Sequence, residues 1–272
     1  MTKLLDGNEL AGYIKERQAR QVRMLRQAHK IFPKLVIVTS KTTSPVIDTY
    51  VRMKRRYGDD ILIETEVVSC GEPKMADVIE RYNKDDSVHG IIVQLPLGAD
   101  AEVDEILGVI APEKDVDGLG EGAAYLSATA EAIQWLLAGY GVDLKGKSIA
   151  MIGNGRLVGQ PLVHVWRESG LSVTVIDEAT TSHLRDVVKV SDVIVSATGV
   201  PRLITSEMIP VGAVVIDAGT ASEDGKLMGD VESAARERDD LKITPEKGGV
   251  GPLTIAALYD HVIQVALSKA AN

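Results

Sequence analysis

The sequence predicts an α/β protein with two parallel-sheet domains. Three observations predict it: apolar β-rich runs alternate with amphipathic helical runs, one of the apolar runs is apolar enough for burial on both faces, and one strand breaks into glycines ahead of a helix. The elements follow in order. Asp6 to Ala28 carries apolar positions at helical spacing among many charges, and "KLVIVT" at Lys34 to Thr39 is a strand. After the polar loop "SKTTSP" a helix begins near Val46. "ILIETEVVSC" reads as a second strand, "MADVIERYNKD" as a helix, and "VHGIIVQLPL" as a third strand apolar enough for burial on both faces. "TAEAIQWLLAGY", Thr129 to Tyr140, is a helix ending near Gly141 that joins the two halves. "VSDVIVSATG" and "GAVVIDAG" are later strands, and "ITPEKGGVGPLT" leads into a final helix, Ile255 to Ala270.

Composition narrows the function. The 272 residues, 45% of them hydrophobic, suit one large or two modest domains with real cores. A net charge of -9 argues against non-specific nucleic-acid binding, and the cluster Arg52, Lys54, Arg55, Arg56 is too short to reverse that. The single cysteine, Cys70, rules out an internal disulfide or a cysteine-cluster metal site and fits a reducing cytoplasm. His29, His89, His164, His183 and His261 have no metal-ligand spacing, so no metal is expected. The N-terminus lacks a leader pattern, and no window supplies the roughly 20 apolar residues of a membrane span. The expectation is a cytoplasmic protein with a small-molecule substrate and neither nucleic-acid nor membrane partners.

Chemistry enters at "SIAMIGNGRLVGQP", Ser148 to Pro161. Glycines at Gly153, Gly155 and Gly159 let backbone N–H groups turn tightly and approach a pyrophosphate at a helix N-terminus. The strand before, the amphipathic "PLVHVWRESG" after, and the strand "LSVTVID" complete a βαβ unit of the Rossmann type.

Six motifs then stand in an order that resembles the bifunctional methylenetetrahydrofolate dehydrogenase/cyclohydrolases: Tyr50-x-x-x-Lys54, "GIIVQLPL" with Gln94, "PEKDVDG" with Asp117, "IGNGRLVGQP", "GDV" at Gly229 to Val231, and "GGVGPLT" at Gly248 to Thr254. The resemblance covers nearly the whole chain. It implies an N-terminal catalytic domain (1–128 with 253–272, the last helix returning to it) and a Rossmann-type NAD(P)-binding domain (129–252). The implied reaction is oxidation of 5,10-methylenetetrahydrofolate, followed by hydrolysis of the methenyl product to 10-formyltetrahydrofolate. A dehydrogenase acting alone on folate or a related carrier, and a non-catalytic folate- or nucleotide-binding paralogue, are the alternatives.

By resemblance Lys54 is the catalytic lysine, most critical for hydrolysis, and Gln94 positions it. A lysine suits the task if burial lowers its pKa. Tyr50, four residues earlier on the same helix face, is the tyrosine that stacks on the aminobenzoyl ring. Asp117 resembles the aspartate that pairs with the donor edge of the pterin. Gly249, Pro252 and Thr254 belong to a stretch that in the family touches folate and nicotinamide. Cofactor contacts fall on Gly153, Asn154, Gly155, Arg156, Val158 and Gly159, on Asp177 and Glu178, and on Thr198 and Gly199. The resemblance also implies a homodimer.

Departures from the family pattern matter too. Ile47 stands where the family commonly has serine, in a loop that reads as a few residues longer, and the loop after Asp117-Gly118 is shortened, with Ser127 and Ala128 replacing a proline and a cysteine. Pro245-Glu246-Lys247-Gly248-Gly249 brings two charges beside the site. Members that use NADP place arginine after the first glycine and a small hydroxyl or basic residue after the second strand. Here these are Asn154 and Glu178, with Asp177 adjacent. A carboxylate there accepts from ribose hydroxyls and repels a 2'-phosphate, so NAD is expected over NADP, with Arg156 the residue that could still reach a phosphate.

Overall fold

A computed structural model of the chain describes residues 3–41, 44–98, 101–223 and 226–270. Residues 42 and 43 of the expected "SKTTSP" loop lie outside the described residues. The strands are β1 (Lys3–Leu4), β2 (Lys34–Ser40), β3 (Glu64–Cys70), β4 (Gly90–Val93), β5 (Ile149–Ile152), β6 (Val173–Ile176), β7 (Val193–Ser196), β8 (Val214–Asp217), β9 (Ala221–Glu223), β10 (Lys226–Met228) and β11 (Lys242–Ile243). The helices are α1 (Gly7–Met24), α2 (Pro45–Asp60), α3 (Met75–Asn83), α4 (Val103–Gly108), α5 (Ala128–Gly139), α6 (Gly159–Glu168), α7 (Leu184–Lys189) and α8 (Val250–Ala270). They form two units, residues 12–128 with 255–272 and residues 1–11 with 129–254.

The first unit holds a parallel sheet ordered β3-β2-β4. Central β2 is buried on both faces, with Leu35, Val36, Ile37 and Val38 all at 0% exposure. Each such side chain stabilises by about 2 kcal/mol, which fixes the strand at the centre. On one side Val36, Val38, Ile91 and Val93 form a core with Met75, Ile79 and Tyr82 of α3. Two boundaries differ from the sequence reading. Helix α2 starts at Pro45, pre-set for a first turn, and Ser44 Oγ accepts from Ile47 N at 3.3 Å, so Ile47 is a buried helical residue and not part of a loop. The "ILI" of the expected second strand turns instead, with Leu62 at φ 65°, while Ile61 and Ile63 plug the core and β3 begins at Glu64.

His89, immediately before β4, is 3% exposed. Burial, aided by the Lys269 and Lys114 charges and opposed by a hydrogen bond with the Ser87 backbone and by the Asp85 charge, lowers its pKa from 6.5 to about 4. The unfolded chain therefore binds the proton more readily. The stability is fully present above the unfolded value and drains away as pH falls from 6.5 towards 4, by on the order of 2 kcal/mol. Urea midpoints at pH 7 and pH 5 should fall more steeply for the native protein than for His89→Asn. Equal slopes would show that another group sets the acid limb.

The second unit is built on a six-stranded, wholly parallel sheet, β1-β11-β8-β7-β5-β6. The N-terminal segment packs differently from the expected boundaries, since β1 pairs with β11 (Lys3↔Lys242, Leu4↔Ile243) and groups the described residues up to Ala11 with this unit. A two-residue strand has no periodicity to reveal it. Beside β5 the strand order reverses, β6 lying on one side and β7 on the other, so the C-terminal end of β5 is the topological switch point where ligands bind in such sheets. The pair β9-β10 is a small antiparallel hairpin.

Helix α8 begins at Val250, ahead of the expected Ile255, because a proline at its third position fits a first turn. Its first residues belong to the second unit and the rest to the first. It also corrects the expectation that no window reaches span length: α8 is long and apolar enough to cross a membrane. As 72% of that window is buried within the protein, its apolar character serves the core.

Candidate active site

The first cluster sits at the C-terminal edge of the three-stranded sheet. Gln94 follows β4, held by its N–H to Val38 O at 2.8 Å and by its side-chain Nε2 to Leu95 O at 2.8 Å. The remaining amide oxygen, Oε1, accepts from Lys54 Nζ at 2.9 Å. Lys54 is 9% exposed, and burial lowers its pKa while the Asp117 charge opposes the shift. Lys54, Gln94 and Asp117 are thus brought together. Tyr50 lies one turn earlier on the same side of α2, half-buried.

Asp117 owes its placement to a residue that the sequence reading passed over. Asp115, at 1% exposure, accepts from Gly118 N at 3.0 Å, Leu119 N at 3.1 Å and Gly120 N at 2.7 Å. Burial, with Asp117 adding, pushes the Asp115 carboxyl up. Gly118 takes φ 67°, and the shortened loop returns at Ala128, whose N–H donates to Asp117 O at 3.2 Å. Tyr125 of that loop stacks on His261 with centroids 4.5 Å apart, and His261 Nδ1 lies 2.7 Å from Val116 O. The repeated aspartates of "DVD" were the available signal, since a buried carboxylate beside three free N–H groups is a turn device.

The second cluster is the glycine turn. Gly153 takes φ 97°, and a Cβ there would lie 2.5 Å from Ala197 O. A Cβ on Gly159 would lie 2.1 Å from Gly153 O, whereas one on Gly155 would meet nothing within 4 Å. Two of the glycines therefore serve the chain's own packing, and the third leaves open space above the turn. Asn154 is exposed, Arg156 half-buried and Val158 buried, all before the first turn of α6. These features fit a dinucleotide, with uncapped N–H groups at a helix start and a backbone that a phosphate can approach.

Asp177 follows β6 and caps the short helix after it: Thr180 N and Oγ1 donate to its Oδ1 at 3.1 and 2.8 Å, which holds its carboxyl below the usual range. Glu178 follows it, exposed. The Thr198-Gly199 turn is fixed from beneath by buried Asp230, whose Oδ2 accepts from Ser196 Oγ at 2.7 Å, Thr198 N at 2.7 Å and Thr198 Oγ1 at 2.9 Å. Asp217 holds the other side of "GDV", accepting from Asp230 N, Val231 N and Arg236 Nη2 at 3.0, 3.1 and 2.8 Å. The sequence motif was visible, but not the two carboxylates' division of labour. In the same unit Gly248 O accepts from Gly7 N at 2.8 Å and Asn8 N at 3.1 Å, so the start of α1 clamps the stretch that carries Gly249, Pro252 and Thr254. Thr254 Oγ1 donates to Val250 O at 3.3 Å. Glu246, exposed, bonds Ser233 Oγ. Among the described residues no group of three or more His, Cys, Asp or Glu is placed to hold a metal.

Residues 5–117 match the catalytic domain of the tetrahydrofolate dehydrogenase/cyclohydrolase family, and residues 127–270 match that family's NAD(P)-binding domain. The chain belongs to the tetrahydrofolate dehydrogenase/cyclohydrolase family. The resemblance read from six motifs is borne out. Among relatives, the bifunctional protein FolD of Streptococcus mutans is 36% identical over 281 residues, covering 98% of each chain. The FolD methylenetetrahydrofolate dehydrogenase/cyclohydrolase of Campylobacter jejuni superposes with a TM-score of 0.92 at 32% identity, covering 99% of this chain and 100% of its own. The Trypanosoma brucei enzyme, solved with NADP and an inhibitor, gives 0.92 at 29% identity, covering 100% and 99%. For this tetrahydrofolate dehydrogenase/cyclohydrolase, then, the two clusters fall one in each family domain.

Proposed function

We propose that the chain oxidises 5,10-methylenetetrahydrofolate to the 5,10-methenyl cation with a nicotinamide dinucleotide and hydrolyses that cation to 10-formyltetrahydrofolate. The single observation that carries this reading is the buried Lys54 amine, held by Gln94 and facing the charge of Asp117. FolD relatives matched from end to end support the same pair of reactions.

Nicotinamide, when bound, supplies the hydride acceptor. The chain's own groups do the rest. Asp117 receives the amino and ring N–H groups of the pterin, and Tyr50 stacks on the aminobenzoyl ring. In the second unit, Gly249, Pro252 and Thr254 are the residues we propose for folate contact. In hydrolysis, water adds to the methenyl carbon and gives up a proton to the neutral Lys54 amine. The bond from that carbon to N5 then breaks as the adduct's hydroxyl loses its proton to solvent and becomes the formyl oxygen, and Lys54 returns the first proton to N5, leaving the formyl group on N10 and one proton released overall. A lysine can run this cycle near neutrality because burial favours its neutral form, while Gln94 Oε1 receives the ammonium form between the two transfers.

Gly153 to Gly159, the N–H groups at the start of α6 and Thr198-Gly199 are the parts of the chain that would hold the dinucleotide. Its preferred form is NAD. Asp177, committed to its cap and ionised, and exposed Glu178 put two negative charges where a 2'-phosphate would sit, and Asn154 contributes no positive charge. About 1.4 kcal/mol of repulsion makes a tenfold ratio, so initial rates with methylenetetrahydrofolate at equal concentrations should favour NAD by about tenfold. A faster rate with NADP would overturn this preference, and no reduction of either would overturn the reaction itself.

A further inference from the structure

We propose that Tyr259 is a positioning residue for the Lys54 amine, acting through the main chain from which that side chain springs. The proposal rests on the hydrolytic role of Lys54 given above and goes beyond it. Tyr259, on α8, is fully buried, and its hydroxyl donates to the Lys54 carbonyl oxygen at 2.8 Å. Its oxygen also lies 2.7 Å from Thr65 Oγ1 on β3. A phenol has one proton, and the carbonyl can only accept, so Thr65 must be the donor to Tyr259. The result is a directed chain from Thr65 to Tyr259 to the peptide unit of Lys54, gathering β3, α8 and α2 at one point.

Gly58 makes room for it. A Cβ at that position would lie 2.3 Å from Thr65 Oγ1 and 2.8 Å from the Tyr259 hydroxyl. The helix thus gives up a side chain at a buried position in order to admit a polar one. An aliphatic residue would fill the core without needing a partner, whereas a buried phenol must find one, and this phenol finds the carbonyl of the reactive lysine. A lysine stem has four rotatable carbons, so its amine is placed only if both ends are held. Gln94 holds the nitrogen at 2.9 Å and Tyr259 holds the root.

The fold supplies its own control. Tyr57 stacks on Tyr259 with centroids 5.3 Å apart, but its hydroxyl donates to Gln18 Oε1 at 2.8 Å. Gln18 Nε2 donates onward to Ala256 O at 2.8 Å and Asp260 Oδ1 at 3.1 Å. Tyr57→Phe therefore removes a hydroxyl from the same layer without touching the Lys54 peptide.

The test compares Tyr259→Phe with Tyr57→Phe in two readouts. The first is kcat, KM and pH profile for methenyltetrahydrofolate hydrolysis. The second is the titration of the Lys54 amine by NMR in protein carrying 13C-labelled lysine, assigned with Lys54→Met. Misplacement of a fraction of an ångström should lower kcat for Tyr259→Phe about tenfold while KM stays within about twofold. The Lys54 titration and the pH profile should shift with it, and both should stay put in Tyr57→Phe. Unchanged Lys54 titration in Tyr259→Phe, or equal changes in the two variants, would overturn the positioning role. If the native protein does not hydrolyse the methenyl compound, the functional reading fails, and the NMR titration still decides whether Tyr259 places the amine.

Discussion

Replacing Lys54 by alanine is expected to lower methenyltetrahydrofolate hydrolysis by about a thousandfold, the scale of a lost positioned acid–base group. Burial shifts the Lys54 amine towards the neutral base that hydrolysis needs, and Gln94 Oε1 would be left without its donor. Folding should survive. Lys54 carries a desolvated polar head, and removing it relieves that cost even as it opens a small void. Lys54→Met, which keeps the volume and drops the charge, should fold at least as well and be equally inactive in hydrolysis. Both variants should keep native dinucleotide affinity, because the glycine turn belongs to the other unit. Hydrolysis at the native rate in either would refute the assignment.

The second large effect concerns the glycine turn. Gly159→Ala places a methyl 2.1 Å from a carbonyl oxygen and 2.8 Å from the Asn154 Cα, both backbone, so the turn must deform. Overpacking of about 3 kcal/mol borne by the binding conformation weakens dinucleotide affinity by roughly a hundredfold. Gly155→Ala is the informative partner. Its methyl meets nothing in the protein, so the thermal midpoint should be unchanged while dinucleotide affinity falls. Calorimetric titration and melting on the two variants separate a glycine needed by the fold from one needed by the ligand. If both variants bind as the native protein does, the turn does not hold the dinucleotide.

The sequence was most legible where a residue's job is written in its neighbours. Strands β2 and β4 announced themselves by unbroken apolar runs, and the glycine turn by its strand and helix flanks. Lys54, Gln94 and Asp117 were visible through motif order alone, since three residues so far apart share no local pattern. Elsewhere the pattern was short or open to more than one reading. Strand β1 is two residues long, and only its pairing with β11 shows where it belongs. Asp115 looks like any turn aspartate until its three N–H donors are seen. Asp177 has the expected place at the strand end, but its carboxylate also caps a helix. Tyr259 sits in an apolar helix where nothing but the fold connects it to Lys54.

We propose that one lysine-centred site completes a two-step conversion begun with a dinucleotide. The direct test follows the methenyl absorbance in a single time course with methylenetetrahydrofolate and NAD, for the native protein and Lys54→Ala side by side. With the native protein the absorbance should rise and then decay. With the variant, any cation that forms should persist, decaying no faster than in protein-free buffer. Equal, protein-dependent decay in both samples would contradict it.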